Sequence, residues 1–346
     1  MKTIARGIWV SLAFFACQIS ANALAKDFYA GKNIRFIVGF AAGGGYDAYT
    51  RMVARYISRY IPGHPSTVVE NMDGAGSVIA ANYLYNKAEK DGLTVGIWNS
   101  QNIFNQMMGD PSIRFDGRKF GWIGSPSTDS VACAIMGFAG PKTFDEIVKS
   151  KKPVRMGATR SGNTTQLPGM LNRWAGANFE VISGYTGTSK IRLAMSSREV
   201  DGACWTWDSM RSTARSMLDA KGDDKMIPFI INGKWDDAEV KGIAQFHKVI
   251  KNEDNLAGFD AWNAANEFAR PLSLPPGSPP EVLSILRKAF KATVEDKDYK
   301  ADAEKSKLTV DYTSGEKIEQ YIKQIYSISP AIKKDLEFLA KRPRTS

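Results

Sequence analysis

From residue 34 onward, short and nearly continuous apolar runs alternate with longer stretches in which apolar residues recur at helical spacing. The short runs read as buried strands and the longer stretches as amphipathic helices. Strands are predicted at 34–40, 67–70, 93–98, 120–124, 131–138, 154–158, 179–183, 203–207 and 226–232. Helices fall between them at 47–60, 77–90, 143–151, 167–175 and 189–197, the first carrying Met52, Val53, Tyr56 and Ile57 on one stripe. Thr143 and Glu146 have the spacing of a capping box at the third. This alternation specifies an α/β protein with largely parallel sheets. The last third differs: a Pro/Gly turn at 274–280 precedes two amphipathic helices, the second running over about 315–340 and interrupted at Pro330.

Residues 1–25 stand outside that pattern. Lys2 and Arg6 precede the apolar run 8–16, and Ala23-Leu24-Ala25 is a small-x-small cleavage pattern. We read a secretory signal cut before Lys26, too short in its apolar run to span a bilayer. Cleavage removes two bases and no acid, so the net charge falls from +10 to +8. It also removes Cys17 and leaves Cys133 and Cys204, both in apolar runs. In an oxidising compartment these two could pair, or remain small buried hydrophobes; spacing leaves both open.

The composition excludes several chemistries. There are 2 histidines, His64 in a Pro/Gly turn and His247 in a polar stretch, neither with a second ligand at metal spacing. No metal and no cofactor are expected. The acids are interspersed among the bases without a basic–aromatic module, so no nucleic-acid partner is expected either. The Gly-x-Ser-x-Gly elbow is missing. An exported hydrolase acting on a small carboxylate or ester is the alternative reading, and it would have to recruit one of the two histidines.

Four loops carry the candidate binding residues. Phe40, Gly43, Gly44, Gly45, Tyr46 and Asp47 lie between a strand and a helix. Glycines there let a ligand approach peptide N–H groups, the helix N-terminus favours an anion, and Asp47 could cap the helix. This is neither a P-loop nor a dinucleotide fingerprint, since the Lys-Ser/Thr pair and the third glycine are missing. Asn99 and Ser100 follow a strand, where ligands gather in open α/β sheets. Ser161, Gly162, Asn163 and Thr164 occupy a second strand–loop–helix junction. Asp208 follows the apolar run 203–207. Trp98, Trp205 and Trp207 stand near strand ends, where they belong either to the core or to an aromatic site wall.

Taken in order, these segments resemble the extracytoplasmic solute receptors of tripartite tricarboxylate transporters, the Bug family. The resemblance spans the mature chain: the Gly43-Gly44-Gly45-Tyr46-Asp47 loop, the Val68-Val69-Glu70-Asn71 strand, the Gly74-Ala75-Gly76 turn, the Gly184 to Gly187 and Arg198 to Gly202 stretches, and the 274–280 turn. It implies a periplasmic binding protein of type II-like fold, with two α/β lobes joined by two crossovers. Lobe one is expected at 26–128 plus 232–346, and lobe two at 129–231. It implies a non-enzymatic, monomeric, periplasmic receptor that closes on a small organic anion, a carboxylate, and delivers it to membrane permease subunits. All four loops are implied to meet at the ligand. Tyr46 departs from the small or hydroxylated residue usual after the glycines, and Ala42 from the usual proline. The ligand is therefore not required to be a tricarboxylate.

Overall fold

The computed structural model describes residues 28–128, 130–160, 162–232 and 238–339. The leader 1–25 and Ser161 lie outside these residues. The first half runs β1 (Asn33–Val38), α1 (Gly45–Ile57), β2 (Ser66–Asn71), α2 (Val78–Asn86), β3 (Thr94–Ile97), α3 (Gln101–Met107) and β4 (Gly121–Ser125). It continues β5 (Val131–Met136), α4 (Phe144–Lys149), β6 (Val154–Ala158), α5 (Asn163–Ala175), β7 (Phe179–Ser183), α6 (Thr188–Ser196), β8 (Gly202–Thr206), α7 (Trp207–Thr213), α8 (Arg215–Asp219) and β9 (Met226–Ile231). The remainder is β10 (Ala244–Gln245), α9 (Phe246–Val249), α10 (Glu253–Asn263), β11 (Leu272–Leu274), α11 (Pro280–Glu295), α12 (Lys297–Lys305), β12 (Thr313–Ser314), α13 (Gly315–Tyr326) and α14 (Pro330–Asp335).

These strands form two six-stranded sheets, ordered β12-β4-β11-β3-β1-β2 and β10-β9-β5-β8-β6-β7. The chain leaves the first sheet after Ser125, enters the second at Val131, and returns to the first at β11. Both sheets are mixed, against the expectation of largely parallel ones. Pairs β1–β2, β1–β3, β6–β7, β6–β8 and β9–β10 are parallel. Pairs β3–β11, β4–β11, β4–β12, β5–β8 and β5–β9 are antiparallel. Two of the reversed strands, β5 and β11, are laid down where the chain crosses between sheets, and the third, β12, comes near the end of the chain. They pair with strands distant in sequence, and local periodicity carries no information about direction.

Helices cover the sheets with the apolar faces their sequences predict. Helix α11 opens with Pro280 at its first turn and buries Val282, Leu286, Ala289, Phe290 and Val294. Full burial of a leucine or phenylalanine side chain contributes about 2 kcal/mol. The Thr143 hydroxyl caps α4 by accepting the Glu146 N–H at 3.3 Å, while Glu146 reaches back to the Lys142 N–H at 2.6 Å. Cys133 stands directly opposite Cys204 in the β5–β8 ladder, and a disulfide joins them. Trp98 and Trp207 are fully buried in the core, Trp98 within a cluster with Phe115, Phe120 and Trp122.

Candidate functional site

Between the two sheets lies a cavity with about 50 Å³ of water-accessible space. Phe40, Gly44, Gly45, Tyr46 and Asn99 line it from the first-sheet side, and Thr159, Asn163, Thr164, Thr188, Trp205, Thr206 and Ser209 from the second. Arg270, on the returning crossover, completes the wall. Three helices of eight residues or more begin here, α1 at Gly45, α5 at Asn163 and α6 at Thr188. Each is preceded by a glycine N-cap that makes no side-chain cap bond. The first N–H groups of a helix have no partner within it, so these three ends present donors and partial positive charge.

The first loop is fixed by a carboxylate that does not line the cavity. Gly43 has φ +78°, a left-handed turn that glycine accepts freely, and its N–H donates to Asp47 Oδ2 at 2.9 Å. Asp47 Oδ1 accepts from Arg51 Nε at 2.9 Å and from Asn71 Nδ2 at 3.0 Å. Burial by itself raises the Asp47 pKa, but the bonds from Arg51, the Gly43 N–H and Asn71 together hold it below the ordinary carboxylate value. Asp47, which by sequence could cap the helix, does not: it sits within the first turn of α1, reaching back to the loop, and Gly44 takes the cap position.

Tyr46 turns inward. Its hydroxyl donates to the Ala269 carbonyl at 2.8 Å, and its ring packs on Phe40 with centroids 4.5 Å apart. Asn99 is buried, with its N–H on Ser77 Oγ at 2.8 Å and its Oδ1 accepting the Gln101 N–H at 3.0 Å. In the third loop Thr164 Oγ1 accepts the Thr159 N–H at 2.9 Å and pairs with Thr159 Oγ1 at 2.8 Å. Gly162 has φ +88°, and a Cβ there would lie 2.1 Å from Asn99 Nδ2. The two sides of the cleft therefore touch at these positions.

Of the candidate residues, Phe40, Gly44, Gly45, Tyr46, Asn99, Asn163 and Thr164 line the cavity, whereas Gly43, Asp47, Ser100, Gly162 and Asp208 do not. Ser100 is buried at the start of α3. Asp208 accepts from Tyr49 OH at 3.2 Å, Thr309 Oγ1 at 2.7 Å and Arg211 Nη2 at 3.1 Å, which ties α7 to α1 across the cleft. Arg192 Nη2 bonds the Gly43 carbonyl at 3.0 Å across the same boundary.

Sequence reasoning missed Thr188, Thr206, Ser209 and Arg270. Arg270 is 1% exposed, and its guanidinium donates to Ser127 Oγ at 2.6 Å and Thr206 Oγ1 at 2.7 Å and lies 4.2 Å over the Tyr49 ring. In sequence it is one base among 46, and nothing local sets it apart. Trp205, which the sequence allows as core or as site wall, lines the cavity.

Three residues that line the cavity each carry a buried polar atom without a hydrogen-bond partner: Trp205 Nε1, Ser209 Oγ and Asn163 Oδ1. Orphaned polar atoms are rare in folded interiors because each costs about 1–3 kcal/mol. Neither histidine reaches the cavity: His64 Nδ1 lies 3.2 Å from the Ser58 carbonyl, and His247 Nε2 lies 3.0 Å from Asp260 Oδ1. The hydrolase alternative thereby loses its base. Among the described residues no group of three metal-ligating side chains occurs, and no helix is long and apolar enough to cross a membrane.

Neither a protein-family profile nor a curated protein sequence matches the chain. Solved structures do. The periplasmic binding protein BugD superposes with a TM-score of 0.70 at 18% identity, covering 91% of this chain and 99% of its own. MatC from Rhodopseudomonas palustris, solved with malate, gives 0.68 at 16% identity over 90% and 99%. A further R. palustris protein, solved with adipate, gives 0.69 at 14% identity over 89% and 97%. The chain has the fold of these proteins, that of a type II-like periplasmic binding protein with two α/β lobes, two crossovers and a cleft between.

Proposed function

We propose that the chain is an extracytoplasmic solute receptor of the Bug type. It captures a small organic anion, a carboxylate, in the interlobe cleft and delivers it to the permease subunits of a tripartite tricarboxylate-type transporter. One observation carries the reading: three helix N-termini meet at a single cavity, and Trp205 and Ser209 in its wall carry donors without a partner. A carboxylate offers the acceptors these groups lack. The malate and adipate bound by two proteins of the same fold support that class of ligand.

In this reading the receptor is periplasmic, exported by cleavage after residue 25, monomeric and without catalytic activity. Lobe one comprises 26–128 and 232–346, and lobe two 129–231. Sheet membership supports the division, with β10 adding a short edge to the second sheet from beyond residue 232. Phe40, Gly44, Gly45, Tyr46, Asn99, Asn163 and Thr164 face the ligand. Gly43 and Asp47 hold the loop, and Asp208 latches the lobes.

The test is calorimetric titration of the mature protein with dicarboxylates, tricarboxylates, aromatic acids and amino acids. Saturable binding of at least one carboxylate is expected. A folded protein that binds none of them overturns the reading.

A further inference from the structure

The partnerless atoms differ in kind, and the difference constrains the ligand. Trp205 Nε1 is only a donor, and Ser209 carries a hydroxyl. The Ser209 Oγ lies against the first residue of α1, since a Cβ on Gly45 would be 2.5 Å from it. That end of the cavity gathers donors and awaits an acceptor.

Asn163 is the opposite case, and its amide orientation is fixed by a chain of bonds. The Trp262 carbonyl can only accept, so the Gln101 amide points Nε2 toward it, at 3.2 Å. The same Nε2 donates to Asn266 Oδ1 at 3.3 Å, while Asn266 Nδ2 donates to Asn263 Oδ1 at 2.7 Å. Asn266 Oδ1 therefore faces Asn163, and Asn163 meets it with Nδ2 at 3.5 Å. Reversing the Asn163 amide would set two acceptors against each other. Its Oδ1 is left as a buried acceptor without a partner, in a residue that lines the cavity. A fully ionised carboxylate offers only acceptors and cannot satisfy it. A ligand that reaches this oxygen must carry a donor there.

The walls add a third constraint. The Phe40–Tyr46 pair and Trp205 line the cavity, and aromatic faces pack best against a flat apolar body. We propose that the ligand is a hydroxylated aromatic carboxylate, with its carboxylate at the α1, Ser209 and Trp205 end and its hydroxyl donating to Asn163 Oδ1. This rests on the reading of the cleft as a carboxylate site and narrows it.

The test titrates wild type, Asn163→Ala and Trp205→Phe with 4-hydroxybenzoate, benzoate, malate and adipate. On the wild type 4-hydroxybenzoate should bind about tenfold more tightly than benzoate, one hydrogen bond to a buried acceptor. Both aromatic acids should bind more tightly than malate or adipate. In Asn163→Ala the hydroxyl advantage should vanish while benzoate binding persists. Trp205→Phe, which keeps an aromatic wall and removes the indole donor, should weaken both aromatic acids alike. Equal binding of the two aromatic acids to the wild type, or an advantage that survives Asn163→Ala, overturns the inference. So does tight binding of malate or adipate with no binding of either aromatic acid, and that result leaves the carboxylate-receptor reading standing. Failure of every carboxylate overturns that reading itself.

Discussion

Substitution of Gly45 by alanine should separate folding from closure. Gly45 is the first residue of α1, and its φ is not left-handed, so alanine fits the backbone without strain. Within a helix alanine is favoured over glycine by about 0.5–1 kcal/mol. The folded lobe should lose no stability. Across the cleft the situation reverses: the new Cβ would lie 2.5 Å from Ser209 Oγ and 2.7 Å from Ser209 Cβ. Ordinary contact begins at 3.4 Å, so the lobes must separate by nearly 1 Å before the methyl is accommodated. Overpacking of this kind costs about 1–3 kcal/mol. Charged wholly to the closed form, it weakens ligand binding by roughly 5- to 150-fold. Calorimetry with the carboxylate that binds wild type most tightly reads the affinity. A melting curve without ligand reads the folding, and small-angle scattering with ligand reads the closure. Wild-type affinity in a normally folded Gly45→Ala protein would show that the Gly45–Ser209 contact is not part of the bound state, and the reasoning would fail.

Three further predictions concern the scaffold. The Cys133–Cys204 bridge closes a loop of 71 residues in sequence separation, which in the chain-entropy account contributes about 4 kcal/mol; urea unfolding should shift accordingly in Cys133→Ala/Cys204→Ala, and an unchanged midpoint refutes it. Asp47 has a lowered folded pKa, so its contribution is full above the ordinary 3.8 and is lost as pH falls through the lower folded value. Asp47→Asn should therefore cost about 2 kcal/mol at neutral pH, with the gap closing in acid; a gap independent of pH counts against the assignment. Asp208 and Thr309 meet at 2.7 Å, and a double-mutant cycle of Asp208→Asn with Thr309→Val should give a coupling of about 1–2 kcal/mol; additive effects would remove Asp208 as a latch.

The candidate site was partly legible because several of its residues lie at strand–helix junctions. The glycine loop before α1 and the Ser-Gly-Asn-Thr run before α5 announce themselves by composition, and six residues of these two segments line the cavity together with Asn99. The acids read least well. Asp47 and Asp208 look like ligand contacts in a one-dimensional reading, yet each spends its oxygens on protein donors. Whether a carboxylate faces a cavity depends on partners such as Asn71, Tyr49 and Thr309, which approach only in the folded chain. Arg270 and Ser209 were invisible for the same reason.

The sequence by itself determined the elements. Periodicity and punctuation placed the strands from β1 to β9 and the helices between most of them, because burial of one face and capping are local demands on consecutive residues. The short β11, which pairs on both sides within the first sheet, left no such trace. Only the tertiary structure decided the mixed direction of the sheets, the Cys133–Cys204 bond, the inward turn of Tyr46 and the orientation of the Asn163 amide. Each of these is settled by a group distant in sequence, and hydrogen-bond partners at that range cannot be read from spacing. Recognition in the cleft belongs to this second kind, for its walls are drawn from both lobes and from the chain that returns between them.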